Sequence, residues 1–358
     1  MVESIRKTIG LCVPLKQAEN MRIFLLKNNL LRKDLKLDKD NKFMYFPVKK
    51  NVPYNQLAIS YNYNIIERNF SVKISEIKKD YKEGIKLPKE LKTLLPTSYD
   101  VVGDIALIKL PDKLHKFKKK IGEALIQSNK NIKTVCRDNG ITGELRVRKV
   151  EVIAGEDRIT TTHREHGLVF DVDVGKTYFS PRLAGERKRV ADLVNDNEVI
   201  VDMFTGIAPF SIMIAKYAKP RIVYAIDKNK DAVLFARKNI KKNNVLDKVE
   251  IICGDAHDVV RRLCKEYITA DRVIMNLPFS AHHFFSDALY IIIDRGIVHY
   301  YDILNEKDID SRINLLEKIA EKSGVSLRIK NLRKIKTYSP REIYIGADIE
   351  VKLVDTPT

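Results

Sequence analysis

Apolar positions along this chain change their spacing several times, and each change marks a different kind of segment. Residues 16–29, KQAENMRIFLLKNN, repeat apolar side chains at helical spacing, whereas 42–48, KFMYFPV, form an apolar run of strand length, and QLAISYNYNIIERNF completes what reads as a small mixed domain. YDVVGDIALIKL (99–110) sets two short apolar runs around Gly103, as strand or hairpin structure requires. A basic helix pattern, DKLHKFKKKIGEALIQ (112–127), precedes two strand patterns, GELRVRKVEVIAG (143–155) and HGLVFDVDVG (166–175). From about residue 176 the texture becomes strand and helix in alternation, with strands at 198–204, 221–227, 249–255, 271–278 and 296–303. A helix near 308–323 and two consecutive strand patterns, SLRIKNLRKIK and REIYIGADIEVKL, close the chain.

Apolar strands separated by helices predict a doubly wound, mainly parallel sheet. Two final strands with no helix between them predict an antiparallel hairpin at its edge. The expected fold is therefore α/β: a C-terminal doubly wound, Rossmann-like domain with an antiparallel edge hairpin, preceded by two smaller α+β domains. The lysine-rich stretch 74–96 marks the first boundary, giving domains at 1–72, 73–175 and 176–358.

Charge sharpens this division. Residues 1–150 hold 32 Lys and Arg against 16 Asp and Glu, while 151–358 hold 33 against 31. A basic front half joined to a nearly neutral back half points to a polyanion-binding portion, most simply one for nucleic acid. No apolar run approaches the roughly 18 residues of a membrane span, and MVESIRKTIG lacks a signal-peptide core, so a cytoplasmic protein with no membrane partner is expected. Cys12, Cys136, Cys253 and Cys264 are far apart without a C-x-x-C pair, the pattern of buried free thiols. His282 and His283 are adjacent, so on a helix they would point about 100 degrees apart, and His163 and His166 lack a third ligand nearby. No metal site is expected.

The chemistry-bearing residues gather at strand ends. Asp202-Met203-Phe204-Thr205-Gly206-Ile207-Ala208-Pro209-Phe210 reads as strand, tight turn and helix start, which brings backbone N–H groups to a ligand. Asp227 ends the next strand, near the spacing of about 20 residues expected for an acid that holds ribose hydroxyls. Asp255 ends the third, so all three carboxylates are expected at the carboxyl edge of one sheet, where open α/β folds bind ligands. A dinucleotide would call for G-x-G-x-x-G, and an acid at the turn repels phosphate. S-adenosyl-L-methionine, which is cationic and free of phosphate, suits these carboxylates better. The fourth strand ends in Asn276-Leu277-Pro278-Phe279, where an amide and carbonyls can meet a nucleobase edge and Phe279 either stacks on the base or fills the core.

These residues carry a resemblance. TYFSPRLAGERKRVADLV, VDMFTGIAPFSI, YAID, GDAHDV, RVIMNLPFSAHHFFSDAL, IVHYYDI and TYSPREIYIGADIEV look like the archaeal and eukaryotic tRNA (guanine-37-N1)-methyltransferase family. The likeness extends through SYDVVGDIALIKLPD and GELRVRKVEVIAGEDRITTTHREHG, and more faintly to LCVPLKQAENMRIFLLKNNLL at the front. It implies S-adenosyl-L-methionine as methyl donor and, as partner, a tRNA with guanosine at position 37. It also implies a monomer whose two smaller domains bind RNA, and leaves open whether a divalent cation assists.

By that resemblance Glu186 is the general base for the N1 proton, Arg146 stabilises charge on O6, and Tyr178, Asn276 and Pro278 hold the base and cofactor. Arg187, Asp202, Phe204, Gly206, Asp227, Lys228, Asp255, Ala256 and Asn276 form the expected donor site. The chemistry agrees, because guanine N1 is protonated at neutral pH and needs a base and a nearby cation. Burial is expected to raise the Glu186 pKa toward a useful value. Ala208 departs from the family's frequent G-x-G, and its methyl group is expected to restrict backbone approach to the donor. The rival readings are another RNA base modifier, either an exocyclic-amine methyltransferase or the aminocarboxypropyl transferase of wybutosine synthesis, and a non-catalytic RNA-binding protein.

Overall fold

The computed structural model describes residues 5–50, 52–55, 57, 61–71, 81–143, 145 and 147–353. The chain divides into two compact units, 1–80 and 81–358. In the first, strands β1 (Ile5–Pro14), β2 (Asp38–Lys39), β3 (Phe43–Pro47) and β4 (Asn64–Ser71) form one antiparallel sheet in the order β2-β3-β1-β4. The helix Leu15–Lys27 buries Ala18, Met21 and Leu25, and shares a core with Leu11, Val13 and Phe46 of the sheet. Its apolar spacing of three and four residues puts those side chains on one face.

The second unit opens with a four-stranded sheet, β5 (Asp100–Val102), β6 (Ile105–Ile108), β7 (Thr134–Thr142) and β8 (Val147–Gly155). The helix Lys118–Ser128 packs on it through Ile121 and Leu125. Gly122 permits that approach, since a Cβ there would lie 2.6 Å from that of Ala154. A hairpin of β9 (Thr160–Glu165) and β10 (Leu168–Asp173) follows.

The seven-stranded sheet comes last: β11 (Val199–Asp202), β12 (Ile222–Asp227), β13 (Val249–Cys253), β14 (Ala270–Met275), β15 (Ile292–Asn305), β16 (Val325–Thr337) and β17 (Glu342–Leu353). Their order is β13-β12-β11-β14-β15-β17-β16. β11 to β15 pair in parallel, and β17 runs antiparallel to both β15 and β16. This is the expected doubly wound sheet with its edge hairpin. Ile200 joins the core on one face and Val201 the core on the other, which is why β11 reads as a continuous apolar run.

β1, β7 and β9 were not expected from the pattern. The first half of β1 is polar and mostly exposed, so that only residues 9–13 form a short apolar run, and β9, TTTHRE, is polar nearly throughout. The first expected boundary, at 72/73, lies outside the described residues. At the second, 175/176, packing is continuous: Val102, Leu107 and Cys136 share one core with Val172, Phe179 and Ile200. The expectation of four buried thiols is corrected in part, since Cys12 and Cys136 are buried but Cys253 is exposed and Cys264 half-buried. Cys253 is the last residue of β13, beside the turn rather than under the sheet.

Candidate active site

The carboxyl ends of β11 to β14 open onto a cavity with two lobes. The smaller, about 80 Å³, is lined by Tyr178, Arg187, Gly206, Asn276 and Pro278. The larger, about 390 Å³, is lined by Lys228, Asp255, Ala256, Ser280 and Phe284. Leu145, Phe204, Asp227 and Leu277 line both, so the lobes adjoin. A wider cleft of about 930 Å³ lies away from this edge, and the guanidinium of Arg158 within it is already spent on Asp104 and Glu156.

The turn after β11 is built by two acids. Asp227 accepts the Gly206 N–H at 2.7 Å and the Asn229 N–H at 2.8 Å, and burial raises its pKa against those two bonds. Gly206 has φ +58, a conformation that a side chain would disfavour. Asp202 is wholly buried beneath the turn and lines neither lobe. Its Oδ2 accepts from Thr205 at 2.8 Å and Ser211 at 2.7 Å, while Oδ1 has no hydrogen-bond partner among the described residues. Burial, with Asp227 nearby, pushes its pKa up to about 6.

Asp255 caps the helix Ala256–Lys265 through the His257 N–H at 3.0 Å and faces Lys228 Nζ at 3.8 Å. It is thus a helix cap and a cavity wall at once. Two acids in the wall, a third below it with an orphaned oxygen, and no G-x-G-x-x-G turn fit a cationic donor without phosphate. Ala208, with φ +65, buries its methyl group in the core and lines neither lobe, so the expected restriction on the donor does not arise.

At the other lobe Asn276 Oδ1 accepts the hydroxyl of Tyr344, which orients the amide. Pro278 is buried, and the next residue, Phe279, is 36% exposed and belongs to none of the buried clusters, so it does not fill the core. The Arg148 guanidinium lies 5.7 Å from the Tyr178 ring centroid and is itself held by Asp138 at 2.6 Å. Arg146 lies outside the described residues. Arg187 is buried, and it grips both oxygens of Glu165, at 2.6 and 2.5 Å, and the Ser180 carbonyl. Its donors therefore fasten β9 to the segment before the helix Ala184–Leu193, although its side chain reaches the smaller lobe.

Glu186 differs most from expectation. It is 8% exposed and lines neither lobe. Tyr301 donates to Oε1 at 2.7 Å, Arg189 reaches both oxygens at 2.9 and 3.0 Å, and Arg333 also contacts both. The same two arginines hold Asp348, which accepts from His299 at 2.6 Å. Burial alone would raise the Glu186 pKa, as expected, but the hydrogen bonds from Arg189, Arg333 and Tyr301 outweigh it and bring it down to about 2. Tyr301 packs against Tyr344 at 6.3 Å, and so links this cluster to Asn276.

Sequence reasoning missed Tyr301, Arg333, Asp348, Tyr344 and Asp302. One signal was available: Gly346 interrupts β17, and a Cβ there would lie 3.0 Å from Arg333 and 3.1 Å from Tyr301. The imidazoles of His282 and His283 meet with centroids 3.9 Å apart and planes tilted by 39°, instead of pointing apart, in a short 3-10 helix. Among the described residues, no three His, Cys, Asp or Glu side chains converge as metal ligands would.

Comparison with known proteins gives the same outline. Residues 161–328 match the TRM5/TYW2 methyltransferase domain, 81–158 the TYW2 N-terminal domain and 10–54 the tRNA methyltransferase 5 N-terminal domain. The tRNA (guanine(37)-N(1))-methyltransferase Trm5b of Pyrococcus abyssi is 37% identical over 346 residues, 96% of this chain and 99% of that protein. The tRNA(Phe) (4-demethylwyosine(37)-C(7)) aminocarboxypropyltransferase of Methanocaldococcus jannaschii is 35% identical, over 72% of this chain and 98% of its own. A solved complex of aTrm5 with tRNALeu superposes with TM-score 0.67 at 37% identity, covering 96% of this chain and 99% of that one. With the sheet order, the carboxylate-walled cavity and these likenesses in agreement, the chain belongs to the TRM5/TYW2 methyltransferase family.

Proposed function

We propose that this chain transfers the methyl group of S-adenosyl-L-methionine to N1 of guanosine 37 in tRNA, acting as a cytoplasmic monomer. The observation that carries this reading is the extent of the likeness, which is end to end with the methylating relative and includes the front segment, whereas the aminocarboxypropyl relative leaves over a quarter of the chain unmatched. The basic first two domains, 1–72 and 73–175, hold the tRNA through its backbone.

Bound in the larger lobe, the donor supplies an electrophilic methyl on a cationic sulfonium. Asp227 and Asp255 answer its hydroxyls and charge, with Phe204, Gly206, Lys228 and Ala256 shaping the wall. Drawing the guanine from its stack costs on the order of a few kcal/mol, and Tyr178, Asn276 and Pro278 receive it in the smaller lobe. Glu186 takes the N1 proton and Arg146 stabilises charge on O6. Both Glu186 oxygens are engaged in the resting protein, so Arg189 or Arg333 must loosen when RNA binds.

The test is incubation with S-adenosyl-L-methionine and an unmodified transcript carrying guanosine 37, followed by mass spectrometry of the nucleosides. Formation of 1-methylguanosine, abolished when that guanosine is replaced, supports the reading. An N2-methyl or aminocarboxypropyl product, or none, transfers it to the rivals.

A further inference from the structure

Next to Pro278, which lines the smaller lobe, stands a pair of aromatic side chains, Phe279 and Tyr338, that no proposed catalytic step uses. Phe279 directly follows Pro278 and has φ +71, in the left-handed region that bulky L residues avoid. Its N–H donates to Asp302 Oδ1 at 2.9 Å. Asp302 is wholly buried and also accepts the Tyr300 hydroxyl at 2.7 Å and the Ile303 N–H at 2.8 Å. A buried carboxylate thus holds a disfavoured backbone shape in place, the circumstance in which strain persists at working sites.

That shape turns the Phe279 ring outward. The residue is 36% exposed, and its ring meets that of Tyr338, a residue 40% exposed, edge to face at 5.6 Å. Tyr338 opens the turn between β16 and β17, its N–H bonded to the Glu342 carbonyl at 2.9 Å. Lys334 and Arg341 flank it in sequence, both exposed, and among the described residues neither has a carboxylate within ion-pair distance, whereas Lys336 turns inward to the Ser180 hydroxyl and the Tyr344 ring. Exposed ring surface beside uncompensated cations matches a single-stranded nucleic acid, whose bases stack while its phosphates meet the charge.

We propose that Phe279 and Tyr338 form a stacking platform for a base next to the target guanosine, replacing the stacking that base loses when the target enters the cavity. This rests on the methylation reading above. It gives the strained turn a purpose that the donor site does not.

The test uses the full-length enzyme and transcripts with 2-aminopurine, whose emission is quenched by stacking, at position 36 or 38. With wild type, one of the two probes stays quenched on binding. With Phe279→Ala or Tyr338→Ala that probe brightens, and tRNA binding weakens roughly tenfold, as expected for loss of a base stack. Phe279→Trp retains quenching and affinity, and donor affinity stays unchanged in all three variants, which also establishes that they fold. Identical emission from wild type and Phe279→Ala at both positions, with tRNA affinity within twofold, overturns the platform even where 1-methylguanosine is made normally. If wild type makes no 1-methylguanosine at position 37, the methylation reading fails and the platform falls with it.

Discussion

Glu186 and Asp202 are two buried acids in one unit, Asp202 the more deeply, yet their charge states are pulled in opposite directions. Glu186 has two arginines and a tyrosine hydroxyl on its oxygens, and its pKa falls from 4.5 to about 2. Asp202 has two neutral hydroxyls, an unpartnered oxygen and Asp227 for company, and its pKa rises from 3.8 to about 6. Burial raises both, so the partners decide the outcome. One acid is kept as a carboxylate by its cationic partners; the other is held where burial favours its neutral form.

The sharpest way to break this comparison is at Glu186. Because it is the proposed base, Glu186→Gln is expected to lower the single-turnover methylation rate by about 10²- to 10⁴-fold, with donor affinity nearly unchanged because the side chain lines neither lobe. Single-turnover kinetics with saturating tRNA measure it. An unchanged rate would remove Glu186 from the mechanism and leave its cluster a structural ion-pair network.

The pairing of acids with strand ends was legible in the sequence, and the charge states were not. β11, β12 and β14 are inner strands that feed the cores on both faces, so they read as apolar runs, and an acid at the end of such a run must fall at the sheet's carboxyl edge. Asp227, Asp255 and Asn276 followed from that alone, as did the parallel order and the edge hairpin. Glu186 meets Tyr301 115 residues away and Arg333 147 residues away, and no local pattern records such partners. Likewise Asp202 looks like Asp227 in sequence, but only the fold puts one under the turn and the other in the cavity wall.

A middle-sized effect separates the two acids by pH. Asp202 has its folded pKa raised, so its contribution to stability is fully present below pH 3.8 and is lost as pH rises through about 6. Glu186 has its folded pKa lowered, so its contribution is present above pH 4.5 and lost as pH falls through about 2. Each amounts to about 3 kcal/mol at the limit, from about two pK units. Asp202→Asn removes the ionised group while keeping acceptors for Thr205 and Ser211. It should therefore raise Tm relative to wild type at pH 8, with the difference shrinking toward pH 4.5. Thermal unfolding across that range checks it, and a difference independent of pH would show that Asp202 is not held near pH 6.

The smallest effect concerns the same turn and tests whether its backbone shape or its charge governs donor binding. Ala208 holds φ +65 at the start of the helix Pro209–Tyr217, a conformation costing about 1–2 kcal/mol for an L residue. Ala208→Gly relieves that cost but removes a buried methyl worth about 0.8 kcal/mol and frees the unfolded backbone at a further 0.5–1 kcal/mol. The opposing contributions leave a stability change within about 1 kcal/mol. Since the methyl points into the core and not the cavity, donor affinity should stay within about twofold, as calorimetric titration would show. A large gain in affinity would mean that the methyl does hinder the donor, and that turn shape, more than the acids beneath it, limits binding. Ala208→Val distinguishes the two further: a β-branched side chain at this φ should destabilise the fold by more than Ala208→Gly changes it, through the turn alone, with Asp202 and Asp227 untouched.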